Sequence, residues 1–438
     1  MSRLFVRRSA TAIGIYSSFL FGIAGTIVAT RELPSRAAFG TYATVLFTTG
    51  FVQSFFDLTM EEALVKYGFR YLTRERFGRL RGLFAAGLRV KLTGSALGTI
   101  GILVFASFAS HSLRVPLLIA AAIPLGQSLE GLAGIPLYLH GRYDLRAAFQ
   151  SWGMLLRLAG VAVGARYGVS ETVAGVLAAQ LVSTASIGIA GTRAFRRFPA
   201  EPREALGDDR GGIVRFVMQS SVATGVISLR TGLAPLLLGA AAGQLQVGYL
   251  KVAQAPQTAF GTLSAPIRMV LLTEQTSDWE RGRQSVVLRG VRRFTLAAFL
   301  LSLVAVPLLW IWMPDLIRFV NGARWVPAAS AARLFVVTAA VQLVVGWSKP
   351  FPVSIGRPGL RVWTHGFEAI LVLALVVPFS IFWGAAGAAG AILAGMVAYA
   401  IAWIVIFVRI VPEDGAPGLA ADRGGEAEIE AEAGILAR

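Results

Sequence analysis

Long apolar stretches alternate with short polar loops along almost the whole chain, from about residue 10 to residue 410. Each stretch comes close to the ~20 apolar residues that a helix needs to cross a bilayer. The pattern predicts an all-α polytopic membrane protein with about twelve transmembrane helices. The predicted helices lie near residues 10–31, 39–60, 82–108, 115–139, 147–168, 170–192, 213–239, 243–271, 293–313, 326–347, 361–382 and 384–409.

The composition agrees with a membrane protein and excludes several other classes. Hydrophobic residues make up 55% of the chain and charged residues 15%, with a mean hydropathy of +0.65, which is more apolar than a soluble domain. The net charge of +17 could indicate nucleic-acid binding, but the basic residues lie in short loops beside apolar helices, so we expect no nucleic-acid partner. The chain has no cysteine, and its three histidines lack metal-ligand spacing, so we expect no cofactor and no metal.

The loops alternate between rich and poor in arginine. Of the 41 lysines and arginines, 28 fall in one alternating set of loops and termini and 6 in the other. Cytoplasmic loops carry the excess of basic residues, so the pattern predicts that both termini are cytoplasmic, in agreement with an even number of spans. We expect a multi-pass protein of the cytoplasmic membrane of a prokaryote.

The polar segment at the middle of the chain predicts a division into two halves. Residues 194–212 are rich in charge, proline and glycine, and they separate a six-helix bundle at 1–193 from another at 213–411. Residues 412–438 are acidic and poor in aromatic residues, which predicts a disordered cytoplasmic tail. Because a Gly-Tyr-containing motif enters the second helix of each half, we expect two pseudo-symmetric six-helix bundles. In secondary transporters with such repeats the substrate site lies between the halves.

Three cations in the predicted helices are not explained by topology: Arg157, Arg230 and Lys251. A charge at the bilayer centre costs about 2.5–3.5 kcal/mol on insertion scales, so such residues usually face a lumen or a partner. They are candidate ligands for an anionic cargo. The alternative is that each one pairs with a neighbouring helix.

Polar residues share one face on two of the predicted helices. At 100° per residue, the eighth helix presents a stripe of Lys251, Gln254, Thr258 and Thr262. The second helix presents a similar stripe of Tyr42, Thr49, Gln53 and Asp57. Since these are the corresponding helices of the two halves, the stripes predict a polar lumen between the bundles.

Carboxylates within the predicted spans are candidates for ion coupling: Asp57, Glu130 and Glu368. His365 lies one helical turn before Glu368, and a histidine–glutamate pair can exchange protons near neutral pH. The alternatives are a salt-bridge cluster at the membrane interface for His365 and Glu368, and a structural ion pair for Asp57.

Several short motifs occur in a characteristic order along the chain. Arg31–Tyr42 contains a Pro turn followed by Phe-Gly-x-Tyr, and further motifs lie at 56–66, 236–239, 247–253, 319–329 and 384–389. Together they resemble the polysaccharide flippases, which are the O-antigen-flippase-like exporters of the multidrug/oligosaccharidyl-lipid/polysaccharide superfamily. There are departures, since Thr59 stands where the family often has glycine and Gly232 where it often has an acidic residue.

The resemblance implies a twelve-helix flippase that works by alternating access. Its cargo would be a polyprenyl-diphosphate-linked oligosaccharide used to build cell-surface polysaccharide, including lipopolysaccharide. The implied partners are this anionic lipid-linked glycan, the membrane lipids, and the glycosyltransferases and glycan polymerase on either side of the step. Two alternatives stay open, namely a drug or organic-cation antiporter of the same superfamily and a membrane glycosyltransferase or glycan polymerase. The short outer loops and the missing acidic metal-binding motif argue against an enzyme.

Overall fold

The computed structural model describes residues 3–56, 58–263, 275, 283–349, 351–354 and 359–414. This part of the chain is almost entirely helical and contains no β-strand. Eight of its helical segments are long and apolar enough to cross a membrane. These observations confirm the predicted all-α polytopic class.

Eight helices form the first half of the described chain. The short helix α3 was not expected from the sequence, because its polar, arginine-containing pattern resembles a loop. These helices are α1 (Arg3–Glu32), α2 (Arg36–Phe56), α3 (Met60–Thr73), α4 (Phe77–Phe108), α5 (His111–Ala120), α6 (Ile123–Leu139), α7 (Tyr143–Gly164) and α8 (Val169–Phe195).

The helices of the second half are more often interrupted. A π-helical turn at Leu229–Leu233 and 3-10 turns at Ala323–Ala328 and Gly346–Ser348 lie between α-helices. The α-helices here are α9 (Asp209–Ser228), α10 (Ala234–Ala242), α11 (Gln244–Ala253), α12 (Ala255–Leu263), α13 (Gln284–Asn321), α14 (Ala329–Val344), α15 (Phe351–Ser354) and α16 (Gly359–Asp414).

The predicted spans correspond to these helices, with differences in where some of them begin, end or break. The eleventh and twelfth spans are two helices that meet within α16 at a kink at Gly384, where φ is +55° and only glycine is unstrained. The fourth span is broken into α5 and α6. The ninth span extends well beyond 293–313 at both ends, as α13. The last part of the predicted span 243–271 lies outside the described residues.

Glycines allow the helices of the first half to pack closely. Gly160 of α7 and Gly175 of α8 face each other, so that a side chain on either would meet the backbone of the other helix. Gly14 of α1 lies against Ala147 of α7 in the same way. Small residues at helix interfaces are the usual means of packing within a membrane.

A core of buried residues joins the two halves. Phe39 and Tyr42 of α2 belong to the same cluster as Trp325 and Phe335. The Phe39 and Trp325 rings meet edge to face with centroids 4.9 Å apart. The halves therefore contact each other directly around α2 and α11.

The segment between α8 and α9 lies across the start of α4. The Glu204 amide donates to the Gly78 carbonyl at 3.1 Å, and the Gly78 amide donates to Glu201 Oε2 at 2.7 Å. Asp209, which follows this segment, accepts a hydrogen bond from Tyr71 at 3.0 Å. Burial and this hydrogen bond raise the pKa of Tyr71 to about 12.

The proposed division at 1–193, 194–212, 213–411 and 412–438 stays a prediction. The break between α8 and α9 falls within the middle segment. Residues 415–438 of the tail lie outside the described residues.

Candidate functional site

A cavity of about 410 Å³ lies between the two halves of the molecule. Helices α1, α2, α7 and α8 line it from the first half, and α11, α12 and the end of α13 from the second. Its polar lining includes Tyr42, Arg157, Lys251, Gln254 and Thr258, although most of its lining residues are apolar. The cavity lies between the halves, where the sequence predicts a lumen, but the polar character of that lumen stays a prediction.

Arg157 enters this cavity from α7, and its guanidinium is hydrogen-bonded to a side chain that does not line the cavity. Its Nη2 donates to Gln180 Oε1 on α8. Gln180 Nε2 donates in turn to Glu130 Oε2 of α6 at 2.5 Å and to Thr184 Oγ1 at 3.0 Å. Glu130 Oε1 accepts from Ser183 at 3.2 Å. Glu130 is therefore part of a hydrogen-bonded network and does not line the cavity.

Lys251 enters the same cavity from α11, which belongs to the second half of the chain. Its ammonium lies 5.1 Å from the centre of the Phe47 ring, which is within cation–π distance. In the part of the chain that the structure describes, Lys251 makes no ion pair with a carboxylate. Its charge is therefore not neutralised by a neighbouring acid.

The polar stripe of the eighth span is divided by a break in the helix. Helix α11 ends at Ala253 and α12 begins at Ala255, with Pro256 at its start. Because proline cannot donate to the preceding turn, the chain bends at Gln254. Gln254 and Thr258 both line the cavity next to Lys251.

The polar stripe of the second span is mostly not in the cavity. Tyr42 lines it, but the Thr49 hydroxyl donates to the carbonyl of Val45 at 3.0 Å on its own helix. Gln53 is half-buried and lies outside the cavity lining. Asp57 lies outside the described residues. The structure does not place Thr49 or Gln53 among the residues that line this cavity.

Arg230 does not reach the cavity. It lies in the π-helical turn, and its Nη1 is 2.5 Å from Glu368 Oε1 on α16. His365 Nδ1 lies 3.1 Å from the other oxygen of Glu368, and the His365 ring stacks on Tyr399 at 4.9 Å. The structure thus corrects the placement of Arg230 among the lumen cations and makes it the partner of an ion-coupling candidate. Its position corresponds to the interhelical pair that the sequence left open.

Lys91 forms an ion pair inside the protein. Its side chain is only 1% exposed. Its Nζ lies 3.0 Å from Glu61 Oε1 of α3. The unexpected helix α3 thus supplies the carboxylate that Lys91 needs inside the protein.

Two arginines cross between the halves at the side where the loops contain few arginines. Arg31, at the end of α1, donates to the carbonyls of Phe319 at 2.5 Å and Val320 at 2.9 Å, near the end of α13. Arg324 donates to three carbonyls at the end of α1, two of them at 3.0 and 3.1 Å. We call this reciprocal pair the arginine clasp. Each cation lies at the negative end of the other half's helix, where cations are stabilised.

Further contacts close the same side. Arg36 donates to the Tyr249 hydroxyl at 2.8 Å, and the Thr41 hydroxyl donates to Gln244 Oε1 at 2.5 Å. Gly40 lies so close to Gln244 that a side chain at this position would meet its carbonyl. These contacts hold the two halves together on the arginine-poor side.

Sequence reasoning missed Gln180 and the arginine clasp. Gln180 is completely buried within a predicted membrane span, and a buried amide needs hydrogen-bond partners, which is a usable signal. Arg31 and Arg324 were counted only as loop residues of the arginine-poor set. Their role requires the two halves to be placed side by side.

Comparison with known proteins supports the fold and not a closer identity. No family model matches the chain, and no curated protein matches it. Among solved structures, it is similar to an inward-facing multidrug resistance MATE family transporter of the MOP superfamily, with a TM-score of 0.71 and 12% identity over 91% of this chain and 96% of that one. It is equally similar to the lipid II flippase MurJ in an inward closed conformation, with a TM-score of 0.71 and 13% identity over 92% and 90%.

A third similar structure is a MOP superfamily transporter from Pyrococcus furiosus. It is described as having a binding pocket of reverse polarity that suggests a different function, and it matches with a TM-score of 0.62 and 13% identity over 92% and 95% of the two chains. The chain thus has the twelve-helix, two-lobed fold of the MOP superfamily transporters and is a multi-pass membrane protein.

Proposed function

We propose that the protein is a flippase that moves a polyprenyl-diphosphate-linked oligosaccharide across the membrane by alternating access. The observation that carries this proposal is the charge of the central cavity. Arg157 contributes one cation from the first half and Lys251 another from the second. No aspartate or glutamate of the described chain lines the cavity.

A diphosphate headgroup fits these two cations. Arginine can grip phosphate oxygens bidentately, and lysine acts as a point charge beside them. Gln254, Thr258 and Tyr42 add hydrogen-bonding groups of the kind that sugar hydroxyls need. The cavity volume falls in the ~300–1,000 Å³ range of small-ligand pockets. It therefore suits the headgroup region, while the polyprenyl tail stays in lipid.

The distribution of arginine supports a direction for this transport. Both termini and the basic loops would face the cytoplasm of a prokaryotic cell. Cytoplasmic glycosyltransferases would assemble the cargo, and a polymerase on the far side would consume it. The closed arginine-poor side then makes the structure a state that accepts cargo from the cytoplasm.

A drug or organic-cation antiporter is the second candidate, because a multidrug transporter is among the similar structures. Cationic drugs are expected to bind carboxylates and aromatic rings in the lumen. The cavity offers the opposite polarity, with its nearest carboxylate, Glu130, engaged by Gln180 and Ser183. An enzyme is less well supported. The adjacent Asp208 and Asp209 could suggest an acidic metal-binding motif, but Asp209 is bound to Tyr71 and Arg79.

The test is glycan transfer in proteoliposomes that contain the purified protein and a fluorescent polyprenyl-diphosphate oligosaccharide. Arg157→Ala and Lys251→Ala should each abolish transfer while leaving the protein monodisperse. Arg166→Ala is the matched control, because Arg166 is exposed on the α7–α8 loop and far from the cavity. Normal transfer in both cavity variants, or efflux of cationic dyes that depends on the same residues, would overturn the proposal.

A further inference from the structure

The Gln180 amide lies between Arg157 and Glu130, which carry opposite charges. Its oxygen accepts from Arg157 and its nitrogen donates to Glu130 and Thr184. Because arginine can only donate and an ionised carboxylate can only accept, these partners determine which end of the amide faces which charge. An uncharged side chain with only donors or only acceptors could not satisfy both neighbours, whereas an amide has one of each.

The surroundings keep this amide in place. Gln180 is fully buried, and a side chain at Gly126 of α6 would come within 2.9 Å of its Cγ. A side chain at Gly153 of α7 would collide with Ser183, which binds the other oxygen of Glu130. Two glycines thus let three helices close around the network, so that its members have little freedom to change partners.

The separation has a consequence for the cavity. A direct bond from Arg157 to Glu130 would use the guanidinium edge and cancel its charge. The interposed amide leaves the carboxylate bound to neutral donors and leaves the remaining guanidinium N–H groups free to face the cavity. Among the described residues, Glu130 is the acid placed to capture Arg157.

We infer that Gln180 is a positioning residue for the anionic headgroup: it prevents a direct ion pair between Arg157 and Glu130 and thereby keeps guanidinium N–H groups available to the cavity. This inference rests on the proposed function, whose cargo it describes at the level of the diphosphate. Gln180 does not touch the cargo itself, since it is not part of the cavity lining. It acts through Arg157.

The experiment measures binding of dodecyl diphosphate to the full-length protein in detergent. Gln180→Leu removes the intervening amide, so that Arg157 can form an ion pair with Glu130. The affinity for dodecyl diphosphate should then fall about 10- to 100-fold, the range expected for losing a charged hydrogen bond. The double variant Gln180→Leu with Glu130→Gln removes the capturing acid as well. Its affinity should return to within about threefold of the unaltered protein, which is non-additive behaviour of a coupled pair.

A second double variant separates charge position from packing. Gln180→Glu with Glu130→Gln keeps the same side-chain types and net charge but places the carboxylate directly against Arg157. This exchange should lose binding, although the first double variant retains it. Gln342→Leu provides the matched control, because Gln342 bonds Gln257 in the other half, away from the cavity.

The outcomes distinguish the two proposals. If the first double variant binds as weakly as Gln180→Leu, or if the exchanged pair binds normally, Gln180 has only a structural role and the inference is wrong. If binding follows the expected order but no glycan is transferred in proteoliposomes, the inference stands and the proposed cargo is wrong. If the unaltered protein does not bind dodecyl diphosphate, both are overturned.

Discussion

Removing Arg324 should open the arginine-poor side of the protein. Its Nη2 reaches three carbonyls at the end of α1, but one nitrogen has two hydrogens, so these contacts do not add fully. A hydrogen bond from a charged group contributes about 1.5–3 kcal/mol, and water can replace part of it because Arg324 is half-buried. We expect Arg324→Ala to weaken the closed state by about 2 kcal/mol.

This energy converts into a change in population. About 1.4 kcal/mol corresponds to a factor of ten, so the ratio of open to closed molecules should rise about 30-fold. Minor states of such proteins are commonly populated at about 0.1–10%. An open state near 1% would therefore rise to about a quarter of the molecules, which a distance distribution can resolve.

The absence of cysteine makes the measurement direct. Nitroxide labels are attached to cysteines that replace Tyr167 and Ala240, which are both exposed. Double electron–electron resonance between the labels then measures the separation of the two halves on the arginine-poor side. Arg318→Ala is the control, because this exposed arginine pairs with Asp315 on its own helix at 3.6 Å. A distance distribution for Arg324→Ala that matches that of Arg318→Ala would refute the role of the arginine clasp.

Three further predictions concern single contacts. Glu61→Gln leaves the buried Lys91 ammonium without this partner and should lower stability by about 2 kcal/mol, less than the ~3–5 of a fully buried pair because Glu61 is partly exposed. Arg230→Met and Glu368→Gln should each lower the melting temperature, whereas the double variant should recover most of the loss, as expected when both charges of a buried pair are removed. Gly40→Ala should push the halves apart at Gln244 and increase the open population.

Each of these predictions has a clear contrary result. Glu62→Gln is the control for the first, since Glu62 is exposed and accepts a hydrogen bond from Ser220 at 2.9 Å. Equal melting temperatures for the two glutamine variants would contradict the prediction. Additive losses in the double variant would show that Arg230 acts separately from Glu368. An unchanged distance distribution in Gly40→Ala would mean that the interface absorbs a methyl group.

The sequence was sufficient to predict where most of the membrane spans lie, because membrane insertion depends on local composition. A stretch of apolar residues has the same cost of insertion whatever its neighbours are, so the helices and their order follow from hydropathy. The break at Gly384 was predictable for the same reason, as a glycine run between two apolar segments. The cluster of Lys251, Gln254 and Thr258 followed from helical periodicity, which survives until the bend at Pro256.

The pairings of the charges were not predictable in this way. Arg230 and Glu368 are 138 positions apart, and both appeared as candidates without any sign that they meet. Lys91 and Glu61 are 30 positions apart and meet because α3 packs beside α4. The reason is that a periodic pattern shows which residues share a face, but not which face of another helix lies opposite.

The sequence by itself determined that this is a multi-pass helical membrane protein with both cations and acids inside its spans. Only the tertiary structure decided which of those cations stay available to a cargo. Arg230 is neutralised by Glu368, Lys251 lies over the Phe47 ring without a carboxylate partner in the described part of the chain, and Arg157 is kept apart from Glu130 by Gln180. A charge inside a membrane is defined by its partners within a few ångströms, and those partners come from helices that are distant in the chain.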